Sequence, residues 1–223
     1  MPGFDIFSFY KPAKEVGGDY YDVFPIDSEN LALVVADVSG KGIPGCMVMA
    51  TTRLALRLVT NEIHSPIQIL TKTNEIVARE IKRGMFVTVL YGILNIRTRQ
   101  MTVVSAGHNP MVVYRGATKK CELVNPSGIA VGFDKGSIFN RTVKQASITV
   151  NRGDRIVMYT DGVVEAMNER NEEWGDKTFY RFTMQNATLS SEDFIKKLTA
   201  ELEEHKGTAD QHDDITILTF RVN

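Results

Sequence analysis

The chain has 223 residues with 26 basic and 27 acidic side chains, and its formal net charge of −1 gives no indication of a nucleic-acid or membrane-surface partner. Its apolar fraction of 43% is typical of a globular protein, and a chain of this length forms a core without a stabilising disulfide. It contains neither an apolar run of the roughly 20 residues that span a membrane nor the pattern of a signal peptide. We therefore predict a cytoplasmic protein in which Cys46 and Cys121 are reduced thiols.

The first part of the chain has the pattern of three strands followed by two helices. The predicted strands are Phe4 to Tyr10, Tyr20 to Pro25 and Asn30 to Val38. The third, "LALVVADV", is apolar on both faces and should lie inside a sheet. After "SGKGIPG" we predict a helix over about 44–60. A second helix should begin at Ser65, with proline in its first turn, and end at Gly84.

The middle of the chain is rich in strand-forming residues. "FVTVLYGILNI" and "MTVVSAG" flank the turn "RTRQ" and predict a hairpin, and "PMVVYRG", "FNRTVKQASITV" and "RIVMYTDG" continue the β pattern. "NRGD", residues 151–154, is a predicted turn. A helix over about 191–205, capped by Ser190 or Ser191, precedes the last strand, "DITILTFRV". This order predicts an α+β fold of two packed, mainly antiparallel sheets with helices on their outer faces.

Aspartates stand at the ends of these apolar strands or in the glycine turns beside them. A single aspartate in such a place is usually a turn former or a helix cap. Four such places argue for one shared site, and several carboxylates within a few ångströms stay ionised only when a cation balances them. An all-oxygen set selects Mg²⁺ or Mn²⁺ over zinc. The aspartates are Asp19, Asp22, Asp37, Asp161, Asp213 and Asp214.

Other features of the sequence have competing interpretations. "GKGIPG" matches the glycine pattern of dinucleotide-binding loops, but Asp37 would lie close to the pyrophosphate and the chain lacks alternating βα units. We interpret His108 in "AGHNP" as part of a structural turn, Arg53 and Arg57 as a solvated helix face, and Met47 as a core residue.

Seven segments of the chain resemble, in order, the PPM/PP2C-type phosphatase domain in its bacterial SpoIIE/RsbU branch. They are "PAKEVGGDYYDVF", "VVADVSGKGIPGCMVMA", "FVTVLYGILN", "SAGHNP", "RGDRIVMYTDGVVEAMN", "EEWG" and "DDITIL". The resemblance runs from about residue 10 to residue 222. It implies a four-layer αββα sandwich and a metal-dependent serine/threonine protein phosphatase, with residues 1–223 forming a single domain.

The resemblance also implies a role for each matching residue. Asp19 resembles the carboxylate that bridges two Mn²⁺ or Mg²⁺ ions. Asp37 and the backbone carbonyl of Val38 resemble the ligands of one ion, and Asp161 and Asp213 resemble the ligands of the other. These four aspartates would carry catalysis through the bound metals and water.

A further group of residues would support the ligands or hold the phosphate. Asp22 either binds an outer water or braces its turn, and Asp214 lies behind the ligands. Gly17 and Gly18 let the backbone pass close to the metals, and Gly162, next to Asp161, belongs to the same supporting group. We find no match for the phosphate-binding arginine of the eukaryotic branch, so Lys14 and Lys41 are the candidates for that role.

The branch that the chain resembles acts on small STAS-domain regulators of the anti-anti-sigma type, phosphorylated on serine or threonine. By resemblance, the chain would be the C-terminal part of a longer signalling protein, and an upstream domain or activator would act through the two helices between residues 44 and 83. A homodimer is left open. The alternative is a catalytically inactive binding module of the same pathway, against which the presence of all four ligand aspartates argues.

Overall fold

The computed structural model describes residues 3–223 and, within that range, contains ten strands, five α-helices and one short 3₁₀ turn at Asp161–Val163. The strands are β1 (Phe4–Lys11), β2 (Tyr20–Pro25), β3 (Asn30–Val38), β4 (Val87–Asn95), β5 (Gln100–Ala106), β6 (Met111–Arg115), β7 (Lys120–Val124), β8 (Gln145–Thr149), β9 (Arg155–Tyr159) and β10 (Ile215–Val222). The helices are α1 (Ile43–Glu62), α2 (Pro66–Glu80), α3 (Ser137–Thr142), α4 (Asp176–Asn186) and α5 (Ser191–Lys206).

One compact unit consists of Lys14–Pro110 and Asn125–Thr149. Its sheet has the order β2-β3-β4-β5-β8, and every ladder in it is antiparallel. As predicted, β3 lies inside the sheet, because β2 and β4 pair with its two edges. The fully buried Leu56 of α1 and Leu70 of α2 belong to the same apolar core as Val34 of β3. The two helices therefore hold the strand whose end carries Asp37.

The other unit consists of the described residues up to Ala13, Met111–Val124 and Val150–Asn223. Its antiparallel sheet has the order β1-β10-β9-β6-β7. Arg155 of β9 is fully buried, donates from Nε to the carbonyl of Ala187 at 3.0 Å and lies 4.4 Å from the ring centre of Phe194. Burial lowers the pKa of Arg155 to about 10. These contacts attach the loop after α4, and α5 itself, to the strand that precedes Asp161.

The predicted α+β class, with two antiparallel sheets and helices, is confirmed. The predicted hairpin around "RTRQ" is formed by β4 and β5, and Ser190 caps α5 by accepting the backbone N–H of Asp193 at 3.0 Å. In the described part of the chain, no helix combines the length and hydrophobicity needed to cross a bilayer.

Two predicted element boundaries were wrong. Helix α2 ends at Glu80 instead of Gly84, because Ile81 turns to extended geometry and packs against the core of its unit. In "FNRTVKQASITV" the first four residues belong to α3 and only Gln145–Thr149 form a strand. The carboxylate of Asp134 accepts the N–H groups of Gly136, Ile138 and Phe139 and thereby favours a helix at that point.

Sequence patterns also missed two elements and misplaced one side chain. Strand β7 and helix α4 were not predicted, although Phe179 and Phe182 of α4 have helical spacing and are buried. The interpretation of Met47 as a core residue was wrong, since its side chain is 66% exposed on α1.

Candidate metal centre

Asp19 and Asp37 stand on two segments that contact each other within the unit formed by Lys14–Pro110 and Asn125–Thr149. A Cβ atom added to Gly18 would lie 3.1 Å from the carbonyl oxygen of Gly40 and 3.3 Å from that of Val38. Only glycine allows this approach without displacing a neighbour. The segment that carries Asp19 therefore runs directly against the end of β3, where Asp37 and Val38 lie. Asp19 is 5% exposed, whereas Asp37 is half-buried.

The turn after β3 owes its shape to two further glycines. Gly42 precedes α1 with a positive φ of 74°, and a Cβ on Gly45 would lie 2.0 Å from the carbonyl oxygen of Gly40. The glycine spacing of "GKGIPG" thus packs the first turn of α1 onto the turn that follows Asp37. Because β3 pairs antiparallel with β4, the loop does not belong to the parallel βαβ unit of dinucleotide-binding folds.

Asp161 and Asp213 stand on a second pair of contacting segments, in the unit that contains Val150–Asn223. Asp161 begins the 3₁₀ turn after β9. A Cβ on Gly162 would lie 2.1 Å from the carbonyl oxygen of Asp214. Glycine at this position therefore lets the turn after β9 lie against the residues that lead into β10. Both Asp161 and Asp213 are half-buried.

The segment before β10 is held by several hydrogen bonds. Asp214 is 8% exposed, and its Oδ1 accepts the backbone N–H of Ala13 at 2.8 Å. The Oδ1 of Asp213 accepts the N–H of Asp214 at 2.9 Å, and the side-chain amide of Gln211 donates to the carbonyl of Asp213 at 2.8 Å. Thr160 accepts the N–H of Thr216 on its hydroxyl oxygen at 3.0 Å. These contacts restrict the positions that Asp213 can adopt.

Asp22 is engaged in an ion pair that sequence patterns did not predict. Arg57 of α1 donates from Nε and Nη2 to the two oxygens of Asp22, each at 2.7 Å, and the hydroxyl of Tyr20 donates to Oδ2 at 2.5 Å. Burial opposes ionisation of Asp22, but the hydrogen bonds from Arg57 and then Tyr20 outweigh it and lower the pKa of Asp22. Burial and the bond to Asp22 raise the pKa of Tyr20. Arg57 is therefore not part of a solvated helix face as predicted.

We expect Asp22→Asn to lower the free energy of unfolding by about 1 kcal/mol, because it weakens a charged pair of which Arg57 is 40% exposed. The pKa of Asp22 is lower in the folded state than in the unfolded state. The stabilisation that the Asp22–Arg57 pair provides is therefore complete above the usual carboxyl pKa, and it disappears as the pH falls through the folded-state pKa. Urea unfolding at neutral pH and near pH 3 would measure the difference. The variant should keep its turnover with saturating Mn²⁺. A large loss of turnover would instead support the interpretation that Asp22 binds an outer water.

His108 is buried, at 5% exposed, in the turn after β5. Its backbone N–H donates to the hydroxyl of Ser105 at 3.2 Å, and its Nδ1 lies 2.8 Å from the hydroxyl of Thr88. Thr88 pairs with Asp37 across β3 and β4. These contacts agree with the interpretation of His108 as part of a structural turn.

The donor chemistry of the two aspartate pairs fits a hard divalent cation. Asp19, Asp37, Asp161, Asp213 and the carbonyl of Val38 offer oxygen atoms alone, which suits Mg²⁺ or Mn²⁺. Among residues 3–223, no three histidine, cysteine, aspartate or glutamate side chains are grouped as a ready-made metal site. Lys14 and Lys41, the candidates for binding phosphate, are both exposed.

Comparison with known proteins gives one family and several similar folds. The family model described as Stage II sporulation protein E (SpoIIE) matches residues 27–223. The chain is 29% identical over 217 residues to the phosphoserine phosphatase RsbU of Bacillus subtilis, an alignment that covers 97% of this chain and 63% of RsbU. The chain thus spans less than two thirds of the length of that relative.

Two solved structures illustrate the similarity in fold. The SiaA-PP2C domain of Pseudomonas aeruginosa has a TM-score of 0.86 at 23% identity, over 98% of this chain and 85% of that one. RsbX, solved in complex with magnesium, has a TM-score of 0.72 at 16% identity, over 100% of this chain and 97% of that one. At these identities the likeness shows that the chain has the same fold.

Proposed function

Because the chain belongs to the SpoIIE family, we propose that it is a metal-dependent protein phosphatase that hydrolyses phosphoserine or phosphothreonine. One observation carries the proposal. Each of the two aspartate pairs stands on backbone segments that a glycine brings into contact, Gly18 in one unit and Gly162 in the other. An aspartate that only forms a turn or caps a helix does not require a close contact between two backbone segments. A metal ligand does, because its position must be fixed.

We propose that two Mn²⁺ or Mg²⁺ ions are held by the ligands that the resemblance assigned. Asp19 would be a ligand of the bound metal. Asp37 and the Val38 carbonyl would be ligands of one ion, and Asp161 and Asp213 would be ligands of the other. When bound, such ions make water a better nucleophile near neutral pH and offset charge on the phosphoryl oxygens.

The protein's own contribution is to hold these oxygens in place and to bind the phosphate. Asp19 is buried, and a bound cation would offset the cost of desolvating its charge. Gly18 and Gly162 allow the backbone segments beside the ligands to lie in contact, and the side chain of Asp214, bonded to Ala13, anchors the segment of Asp213. Lys14 and Lys41 are exposed cations close in sequence to Asp19 and Asp37, and we assign them to the phosphate oxygens of the substrate.

The substrate that we propose is a phosphorylated STAS-domain regulator in the cytoplasm. An upstream domain or a separate activator would control the enzyme through α1 and α2. The exposed apolar side chains of α1 support this idea, since Ile43, Met47, Leu54 and Leu58 are each more than half exposed and recur every turn or two along one helix.

The experiment that tests the proposed function measures phosphate release from a panel of STAS-domain proteins phosphorylated on serine or threonine. Release should require Mn²⁺ or Mg²⁺, stop with excess EDTA and return when the metal is restored. An inactive binding module would bind a panel member without releasing phosphate at any metal concentration. Full activity in excess EDTA would falsify the metal-dependent mechanism.

A further inference from the structure

Four basic side chains line one groove beyond the end of α2. Arg79, Lys82, Arg83 and Lys135 surround a cavity of about 420 Å³ that Gly132 and Phe133 also line. In the described part of the chain, none of the four makes an ion pair or a side-chain hydrogen bond. The neighbouring Asp134 supplies one negative charge, and its Oδ2 accepts three backbone N–H groups at the start of α3, so the four cations outnumber it.

The dipole of α2 accounts for the position of only one of these four basic residues. Arg79 lies in the last turn of α2, where a cation is favourable. Lys135 comes from the segment before α3, far along the chain, and the fold brings it to the same groove. Four positive charges that converge on one groove outnumber the charge of Asp134 and repel one another. A partner that supplies carboxylates would remove this repulsion.

An exposed aromatic side chain lies beside the basic groove. Phe133 is 71% exposed and meets Phe86 edge-on, with ring centres 6.4 Å apart. The two rings, with Thr88, Ile129 and Ala130, line a second cavity of about 280 Å³ that is almost entirely apolar. The surface thus offers a slot for one hydrophobic side chain next to a patch of four positive charges.

This surface is continuous with the candidate metal centre of the same unit. The N–H of Phe86 donates to the hydroxyl of Ser39 at 2.7 Å, and the N–H of Ser39 donates to the carbonyl of Phe86 at 2.9 Å. Ser39 directly follows Val38, and Thr88 pairs with Asp37. The apolar cavity therefore begins one strand away from Asp37, and the basic groove extends outward from it.

We propose that this surface docks the phosphoprotein substrate by binding an acidic segment that carries one hydrophobic side chain beside the phosphorylated residue. The inference rests on the proposed function and adds the chemistry of the sequence that the enzyme prefers. The hydrophobic side chain enters the cavity between Phe86 and Phe133, and the acidic residues pair with the cations of the groove. Charge complementarity of this kind selects partners and orients them.

Two synthetic phosphoserine peptides test the inference, with p-nitrophenyl phosphate as a small substrate that does not reach the groove. One peptide has glutamates and a leucine beside the phosphoserine, and the other has glutamines and an alanine. The wild type should prefer the first in kcat/KM by about tenfold, and added salt should reduce the preference. Arg83→Gln/Lys135→Gln and Phe133→Ala should each lose most of it, while hydrolysis of p-nitrophenyl phosphate stays unchanged.

Matched variants separate docking from general effects of charge. Lys120→Gln/Lys177→Gln removes the same net charge from exposed positions of the other unit and should keep the preference. Equal kcat/KM for the two peptides, or hydrolysis of p-nitrophenyl phosphate alone, would overturn the docking proposal. If the wild type hydrolyses none of the three substrates with Mn²⁺, the proposed function itself fails.

Discussion

Alanine substitution of a proposed metal-binding aspartate should reduce phosphate release at least about a hundredfold. Metal ions supply several kcal/mol of transition-state stabilisation in such reactions, and each ~1.4 kcal/mol corresponds to a factor of ten in rate. The variants are Asp19→Ala, Asp37→Ala, Asp161→Ala and Asp213→Ala. Steady-state hydrolysis of p-nitrophenyl phosphate in saturating Mn²⁺ is the measurement.

A melting curve provides a readout that does not depend on turnover. An ion that binds only the folded protein stabilises it by roughly 2.7 kcal/mol at one hundred times its dissociation constant. Mn²⁺ should therefore raise the melting temperature of the wild type and raise that of the four variants less. Asp176→Ala, which removes an exposed carboxylate at the start of α4, should match the wild type in both assays. Wild-type turnover in any of the four variants would remove that residue from the proposed ligand set.

Gly162→Ala should reduce turnover by about a hundredfold without removing any ligand. The added Cβ would lie 2.1 Å from the carbonyl oxygen of Asp214, so one of the two backbone segments must move. Asp214 is tied to Ala13 through its side chain, and the turn after β9 carries Asp161. A displacement of about 1 Å at a catalytic group is enough to cost a hundredfold in rate.

Gly116→Ala is the matched control for this substitution. Its Cβ would lie 2.7 Å from the backbone of Gly153 in the same unit, and Gly153 precedes β9 whereas Asp161 follows it. Both variants should lose stability through overpacking, by about 1–3 kcal/mol, in urea unfolding. Only Gly162→Ala should also have a lower kcat when the rate is divided by the concentration of folded protein. Equal kcat in the two variants would show that the contact of Gly162 with Asp214 does not position the ligands.

Sequence periodicity was sufficient to locate a strand where the local apolar pattern agrees with the burial of the residues in the fold. The alternation and apolar runs of β2, β3, β4 and β10 located these strands to within a residue or two. The aspartates were recognisable because a charged residue that follows a buried strand breaks the apolar pattern, and the family resemblance gave each one a role. The α+β class followed from the order of strand and helix patterns along the chain.

Only the tertiary structure decided which distant segments meet. The sequence could not show that Arg57 pairs with Asp22, because the two residues belong to different elements. Judged by itself, each of these charged side chains would be expected to point into solvent. It also could not show that Met47 faces outward, since a helix with apolar residues on several faces does not reveal which face is buried. Gly162 looks like an ordinary turn residue until the carbonyl of Asp214, 52 positions later, is found against it. Local propensity acts over a few residues, whereas these choices depend on contacts between elements that are distant in sequence.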